Sequence, residues 1–291
     1  AFGDRASLHA APLHVGDVLQ EQPFAPLQSA VLTSATITTD GTFDYVAERL
    51  GLEDADELLV PSPFDYERST LLYLADDVPE PGQPGYQRQL QDTLVTLCEA
   101  TRGRALVLFT SHAALQATAK AIKRPLEEAG IIVLAQRLDG SPRQLVERLR
   151  HTPNVVVLGT ATFWEGVDII GPALSLLVIT KLPFAVPSDP VFAARGELFD
   201  NPFLEYAVPQ AVLRFKQGFG RLIRSSRDRG VCAVLDRRVL TKRYGASFVQ
   251  SLPDCSVTVG SAIDRPMAAM DWLDVDPDTE PGRQPRDRRR V

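Results

Sequence analysis

Val155-Val156-Val157-Leu158-Gly159-Thr160-Ala161-Thr162-Phe163-Trp164-Glu165-Gly166-Val167-Asp168 is the stretch from which the fold is read. Four branched apolar residues in an unbroken run are what a strand buried on both faces requires. The glycine that follows opens a loop of small, aromatic and acidic groups. Similar short apolar runs stand at 30–33, 71–74, 105–109, 131–134, 174–179 and 231–235. Between them lie helical patterns with recognisable starts. Ser111 precedes a helix over 112–129 that Gly130 ends, and Ser141 followed by Pro142 opens another over 143–150. Buried strands alternating with helices predict an α/β fold with a doubly wound, mostly parallel sheet and helices on both faces. Ligands of such sheets sit beyond the carboxyl ends of the strands, so the loops there hold the candidate site residues.

Composition narrows the function classes. With 44% hydrophobic and 23% charged residues among 291, the chain can bury a substantial core. No apolar run approaches the roughly 20 residues of a membrane helix, and the N-terminus lacks a basic-then-apolar leader, so a cytoplasmic location and no membrane partner are expected. Cys98, Cys232 and Cys255 are isolated in sequence, with no C-x-x-C pair, and are expected to be packing residues rather than metal ligands. The net charge is −6, but ten Arg or Lys against two Asp between Arg214 and Arg243 make that stretch +8, leaving −14 for the remainder. A solvated basic face fits this stretch, and so does a nucleic-acid surface. Residues 78–85 are rich in proline and glycine and read as an exposed loop; the last fifteen residues, basic and without apolar periodicity, are expected to be disordered.

Four segments carry candidate chemistry. In Gln217-Gly218-Phe219-Gly220-Arg221-Leu222-Ile223-Arg224-Ser225, two guanidinium groups three residues apart share one face if the segment is helical. Such a pair suits a polyphosphate whose charge moves to the leaving group, and it also suits ordinary surface ion pairs. Thr160, Trp164, Glu165, Gly166 and Asp168 follow the 155–158 run, where they can reach a nucleotide and a nucleic-acid backbone. Trp164 fits the core equally well, and Asp168 fits a turn. Thr33-Ser34-Ala35-Thr36-Ile37 places hydroxyls directly after an apolar run. Phe109-Thr110-Ser111 ends another run at a helix N-terminus, a ready site for a backbone phosphate.

In this order the four resemble the later motifs of superfamily 2 helicases, and their wording resembles the DinG/XPD branch. TSATI is similar to motif III, VLFTS to motif IV, GTATFWEGVDI to motif V and QGFGRLIRS to motif VI. Lys181-Leu182-Pro183-Phe184, Ser188-Asp189-Pro190, Asp236-Arg237-Arg238 and Thr241-Lys242-Arg243-Tyr244-Gly245 also resemble that branch, and the likeness runs from about Leu8 to Pro253. The resemblance implies a RecA-like second motor domain of an ATP-dependent DNA helicase, moving 5′ to 3′. Arg221 and Arg224 are implied as arginine fingers with Gln217 beside them, and Ser34, Thr36, Glu165, Gly166, Asp168 and Gly220 as groups that bind or sense ATP. Phe109, Thr110, Ser111, Thr160 and Trp164 are implied at single-stranded DNA. As fingers reaching outward, both arginines are expected to be replaceable at little cost in stability.

The same resemblance assigns ATP and Mg2+ mainly to a first motor domain. The chain has neither a G-x-x-x-x-G-K-[ST] loop nor a D-E-x-H pair, nor the four cysteines of an iron–sulfur cluster. The expected plan is a remnant of that first domain at 1–40, a connecting segment at 41–84, the second domain at 85–255 and a partly disordered tail at 256–291. The chain, starting Ala-Phe-Gly, is expected to be a fragment, monomeric, with the first motor domain and single-stranded DNA as partners and no ATPase activity alone. The competing reading is a stand-alone, non-catalytic module that binds single-stranded DNA or a partner; the upstream reading frame discriminates. A different α/β nucleotide enzyme is disfavoured because no glycine-rich phosphate loop follows the first strand.

Overall fold

In the computed structural model, six of the seven apolar runs pair into one sheet. The structure describes residues 10–39, 41–52, 54–165, 174–261 and 264–274. It divides into two units, one formed by Val60–Pro183 with Arg214–Val291 and the other by Ala1–Leu59 with Phe184–Leu213. The first holds the sheet. Its main elements in chain order are β1 (Thr70–Ala75), α1 (Tyr86–Ala100), β2 (Ala105–Leu108), α2 (His112–Glu128), β3 (Ile132–Ala135) and α3 (Pro142–His151). There follow β4 (Val155–Gly159), α4 (Ala161–Glu165), β5 (Leu176–Ile179), α5 (Val208–Phe219), β6 (Gly230–Val234), α6 (Gly245–Gln250), β7 (Ser256–Gly260) and α7 (Asp264–Asp274). The unit boundary falls within α5, whose residues from Arg214 onward belong with the sheet.

Among the described residues the sheet has seven strands in the order β3-β4-β2-β5-β6-β1-β7, and every pairing is parallel. Period-two alternation sends successive side chains to opposite faces. Leu71, Tyr73, Val107, Val133, Val178 and Val231 share one core with Leu90, Leu94 and Leu97 of α1, Leu115 and Ile122 of α2, and Ala269 of α7. The alternate residues Leu72, Leu74, Leu106, Leu108, Val157, Leu177, Ile179 and Val234 are also buried. On their side α3 packs against β4, and Gly218 of α5 lies beside Leu108. The doubly wound α/β expectation is met, with the parallel sheet covered on both faces.

The helix starts follow local chemistry. Ser111 caps α2 by accepting from the Ala114 N–H, and Gly130 follows the helix at φ +75°. Pro142 opens α3 while Ser141 and Gln144 bond reciprocally across its first turn. Cys98 and Cys232 are buried and Cys255 half-buried, all as free thiols.

The expected boundaries need correction. β1 lies inside 41–84, read as a connecting segment, yet it is an interior strand between β6 and β7. β7 and α7 lie inside 256–291, read as tail, yet they complete the sheet edge and cover α1. Arg265 of α7 is fully buried, donating to Thr93 Oγ1 at 3.1 Å and pairing with Asp77. β7 is easily missed because an edge strand needs no continuous apolar run; its Val257 and Val259 remain partly exposed. The last fifteen residues lie outside the described residues.

The other unit has no strand among its described residues beyond an isolated Thr39–Thr42 bridge. Residues 30–33, expected as a strand, are coil with Val31 87% exposed. Without a neighbouring strand their N–H and C=O groups have no ladder to join. The unit is held by helices Asp44–Leu50 and Pro190–Gly196 and by an aromatic cluster in which Phe192 and Phe199 lie 4.9 and 5.4 Å from the Tyr206 ring, with Arg49 over that ring. Gly51 adopts φ +69°, and a Cβ there would come within 2.9 Å of the Gly16 Cα, so both the turn and the approach require glycine.

A chain ending at Cys255 leaves β1 as an unpaired edge and uncovers the face of α1 that α7 packs on. It is expected to melt well below a chain ending at Asp274, or to be insoluble. Circular dichroism melts of the pair measure this, and equal midpoints would exclude β7 and α7 from the domain.

Candidate functional site

The carboxyl ends of β2, β3 and β4 bring three loops together. Phe109, Thr110 and Ser111 follow β2, Gln136 follows β3, and Thr160 follows β4. Thr110 and Ser111 are exposed at the start of α2, as a group meeting a phosphate must be. Phe109 and Trp164 are not. Phe109 is 1% exposed and Trp164 3% exposed, so neither ring offers a face for a base to stack on. Both rings are packing groups in this structure, so a DNA contact at these two positions is not made through a ring face.

Trp164 instead ties the site together. Its indole Nε1–H donates to the Phe109 carbonyl at 3.0 Å, and its own carbonyl accepts from Arg221 Nε at 3.2 Å and Nη2 at 3.0 Å. Its ring lies so close to Gly218 that a Cβ there would stand 2.7 Å from Cε3 and 3.2 Å from the Leu108 Cδ1. Any larger residue at 218 must push the ring away. One residue therefore joins the end of β2, the loop after β4 and the end of α5.

The two arginines part company. α5 ends at Phe219, so Arg221 and Arg224 lie beyond the helix and do not share a helical face. Arg221 is only 8% exposed, held against the Trp164 carbonyl. Arg224 is exposed. The buried Asp228 shapes the loop: its Oδ2 accepts from the Arg224 and Ser225 N–H groups, each at 2.8 Å, and its Oδ1 accepts from Ser225 Oγ at 2.8 Å. Gln217 and Gly220, near the end of α5, are half-buried.

Thr160 is 4% exposed and sits in a side-chain chain of its own. Its backbone N–H donates to Gln136 Oε1 at 2.8 Å, its hydroxyl lies 3.0 Å from the same oxygen, and its Oγ1 lies 3.1 Å from His112 Nε2. Burial of the imidazole, and secondly the nearby Arg137, lowers the His112 pKa from its ordinary value, favouring the neutral ring. Further along the sheet, the fully buried Asp236 accepts from the Leu182 N–H at 2.8 Å and from Arg238. The words Lys181-Leu182-Pro183 and Asp236-Arg237-Arg238 thus lock the loops after β5 and β6 to each other.

Glu165 closes α4, and Gly166 and Asp168 lie outside the described residues. Ser34 and Thr36 belong to the other unit, in an exposed turn where the Thr36 N–H donates to Ser34 Oγ at 3.1 Å. Sequence reading passed over Gln136, His112 and Asp228, and quoted Asp236 only within a family word, with no role. Gln136 and Asp236 each sit directly after or one residue past a buried run, the position that singled out Thr160 and Thr110. The same positional test finds them. Asp228 follows no apolar run, so the same test does not find it; its partners are two backbone N–H groups and the Ser225 hydroxyl. Among the described residues no group of three His, Cys, Asp or Glu could hold a metal, and no helix is long and apolar enough to cross a membrane.

Comparison with known proteins gives these positions a context. Residues 94–255 match the helicase C-terminal domain family. The chain is 40% identical over 251 residues to the ATP-dependent DNA helicase YoaA of Escherichia coli K12, covering 85% of this chain and 39% of that protein. It is 42% identical over 258 residues to the ATP-dependent helicase DinG of Mycobacterium tuberculosis H37Ra, covering 86% and 38%, and 38% identical over 262 residues to the 3′-5′ exonuclease DinG of Bacillus subtilis 168, covering 87% and 28%. Among solved structures an XPD helicase superposes with a TM-score of 0.56 at 16% identity, over 74% of this chain and 40% of that one. A Dbp5 variant of S. cerevisiae bound to RNA and ADP BeF3 superposes with a TM-score of 0.53 at 15% identity, over 88% and 57%. Both structural likenesses concern the RecA-like fold alone. With its parallel sheet and the sequence order of its motif segments, the chain belongs to the helicase C-terminal domain family, in the DinG/XPD-type branch of superfamily 2. It spans between about a quarter and two fifths of the length of these curated relatives.

The burial difference revises the expectation that both arginines are dispensable for folding. Arg221→Ala removes charged hydrogen bonds to a buried carbonyl and is expected to cost about 2 kcal/mol. Arg224→Ala is expected to stay within about 0.5 kcal/mol of the parent. Urea unfolding of both variants measures the difference, and equal costs would refute the distinction.

Proposed function

We propose that this chain is the second motor domain of an ATP-dependent DNA helicase and that Arg224 is its arginine finger. The observation that carries the assignment is the exposure of Arg224 at the tip of a loop pinned by Asp228, while Arg221 is turned inward onto Trp164. An arginine at an exposed position on a braced backbone suits a γ-phosphate whose charge grows during transfer. Arg221 then acts as a positioning residue, setting the loop through the Trp164 carbonyl, and Gln217 and Gly220 stand on the same nucleotide-facing side. ATP and Mg2+ are held mainly by a first motor domain of the same protein. The absence of a G-K-[ST] loop and of a D-E-x-H pair from this sequence supports that division. Ser34, Thr36, Glu165, Gly166 and Asp168 remain assigned to sensing the nucleotide, on the family resemblance.

Single-stranded DNA is proposed to run over the exposed Thr110 and Ser111 at the N-terminus of α2. Hydroxyls and unpaired N–H groups at a helix start suit a phosphodiester, and the +8 stretch adds sequence-independent attraction. Thr160 contributes from beneath, through the hydrogen bonds that hold its loop. The names of two of the relatives, an ATP-dependent DNA helicase and an ATP-dependent helicase, support this reading.

In the full-length protein Arg224→Ala is expected to lower DNA-stimulated kcat for ATP by about 10³ or more, with no rescue by Arg224→Lys, because a point charge cannot replace the planar fork. Steady-state ATPase assays test this; near-normal turnover by the Ala variant would remove Arg224 from the site. The chain alone is expected to show no DNA-stimulated hydrolysis above a buffer blank and to bind labelled single strands weakly, less tightly as salt rises. Salt-independent binding in anisotropy titrations at two ionic strengths would contradict the backbone contact.

A further inference from the structure

Three loops meet at Thr160, and the protons between them can be placed. A backbone N–H can only donate, so the Gln136 atom 2.8 Å from the Thr160 nitrogen is the carbonyl oxygen. That oxygen carries no hydrogen, so the 3.0 Å contact with Thr160 Oγ1 holds the threonine's own proton. Oγ1 then faces His112 with a lone pair only, and the 3.1 Å contact requires a hydrogen on Nε2. The opposite tautomer sets two acceptors against each other at Gln136 and places an N–H on Nδ1, which is buried with no hydrogen-bond partner among the described residues. Thr160 has thus spent its single proton inward and, at 4% exposure, has none to offer a phosphate.

His112 is the first residue of α2, directly after Thr110 and Ser111. Its Nε2–H therefore connects the helix start to the loop after β4, and Gln136 connects that loop to the end of β3. The Gln136 N–H in turn donates to the Leu158 carbonyl at 3.0 Å, and the Phe109 N–H to the Gly159 carbonyl at 2.8 Å, so the backbone beneath is held at both ends.

We propose that His112 is a positioning residue for DNA binding: by donating from Nε2 to the Thr160 hydroxyl it holds the loop after β4 against the α2 N-terminus and so fixes where Thr110 and Ser111 stand. The proposal rests on the reading of that helix start as the DNA-facing edge. The role needs a side chain with one donor at this reach, and the lowered pKa of His112 supports a neutral ring that supplies just one N–H at Nε2 and an acceptor at Nδ1. Thr160 is the intermediary, which no substitution series on Thr110 or Ser111 alone reveals.

The test uses the full-length protein. His112→Leu, which fills similar space without the donor, is expected to weaken binding of a labelled single-stranded oligonucleotide by about tenfold, the size of one lost hydrogen bond. The DNA concentration for half-maximal ATPase stimulation is expected to rise equally, while KM for ATP at saturating DNA stays unchanged. His112→Gln, whose amide can donate in place of Nε2–H, is expected to restore most of the affinity. In a Thr160→Val background, His112→Leu is expected to add nothing, because the hydroxyl it acts on is gone. If the Leu variant does not fold, Thr160→Val alone carries the affinity measurement. Additive losses, failure of Gln to rescue, or a parallel rise in KM for ATP would overturn the proposal. Thr110→Ala and Ser111→Ala separate the two levels: if they weaken binding while His112→Leu does not, only the positioning role falls; if none of them matters, the DNA-facing edge itself is misassigned.

Discussion

The donation from the Trp164 indole to the Phe109 carbonyl, with Arg221 donating in turn to the Trp164 carbonyl, is the interaction on which the site's geometry depends. It joins three loops that the chain places far apart: 55 residues separate Phe109 from Trp164, and 57 separate Trp164 from Arg221. All three hydrogen bonds are buried, where an unmade bond leaves a donor or carbonyl without water, so the arrangement is held by the cost of breaking it as much as by its own strength. Gly218 is the complement of the ring, since only a residue without Cβ lets the indole settle beside Leu108. Displacing Trp164 thus disturbs the end of β2 and the loop that presents Arg224 together.

A similar division of labour runs along the whole carboxyl edge of the sheet. Thr160, Gln136 and His112 hold one cluster of loops, Asp236 with Leu182 and Arg238 a second, and Asp228 with Ser225 a third. In each, a buried polar group spends its hydrogen-bonding capacity on backbone or on a neighbouring side chain. Thr110 and Ser111 stand beside the first cluster, and Arg224 beside the third. Phe109, Thr160, Trp164 and Arg221, which the motif resemblance implies as contacts, are buried in this structure. Buried polar networks of this kind are rigid only when every member is satisfied, which is why single substitutions in them reach further than their size suggests.

The parallel sheet explains why these supports are needed. Every strand runs the same way, so the loops that matter all leave from one edge and must pack against each other instead of against a hairpin partner. The core beneath is conventional: alternate strand residues go to α1, α2 and α7 on one face and to the layer containing α3 and the end of α5 on the other. It sets the spacing of the loop bases, and the polar ties set the loops.

Short branched runs, serine caps and Pro142 were enough to read the strands β1 to β6 and the helices α2 and α3, because a strand buried on both faces and a helix start each have local requirements that residue type alone meets. The family was legible for the same reason, in the order and wording of the four motif segments, and the comparisons bear it out. The two other outcomes depended on neighbours. Residues 30–33 have the composition of a strand but no ladder to join, while Ser256–Gly260 has only modest apolarity and becomes a strand because β1 offers it an open edge. The burial of Arg221 and the exposure of Arg224 were likewise invisible in QGFGRLIRS, since two arginines of identical chemistry differ only in where the fold places them: one against a tryptophan carbonyl, the other at an exposed position whose backbone Asp228 holds. Residue type determines which groups can donate, accept or be buried; only long-range packing decides which of them is spent inside the protein and which is left at the surface.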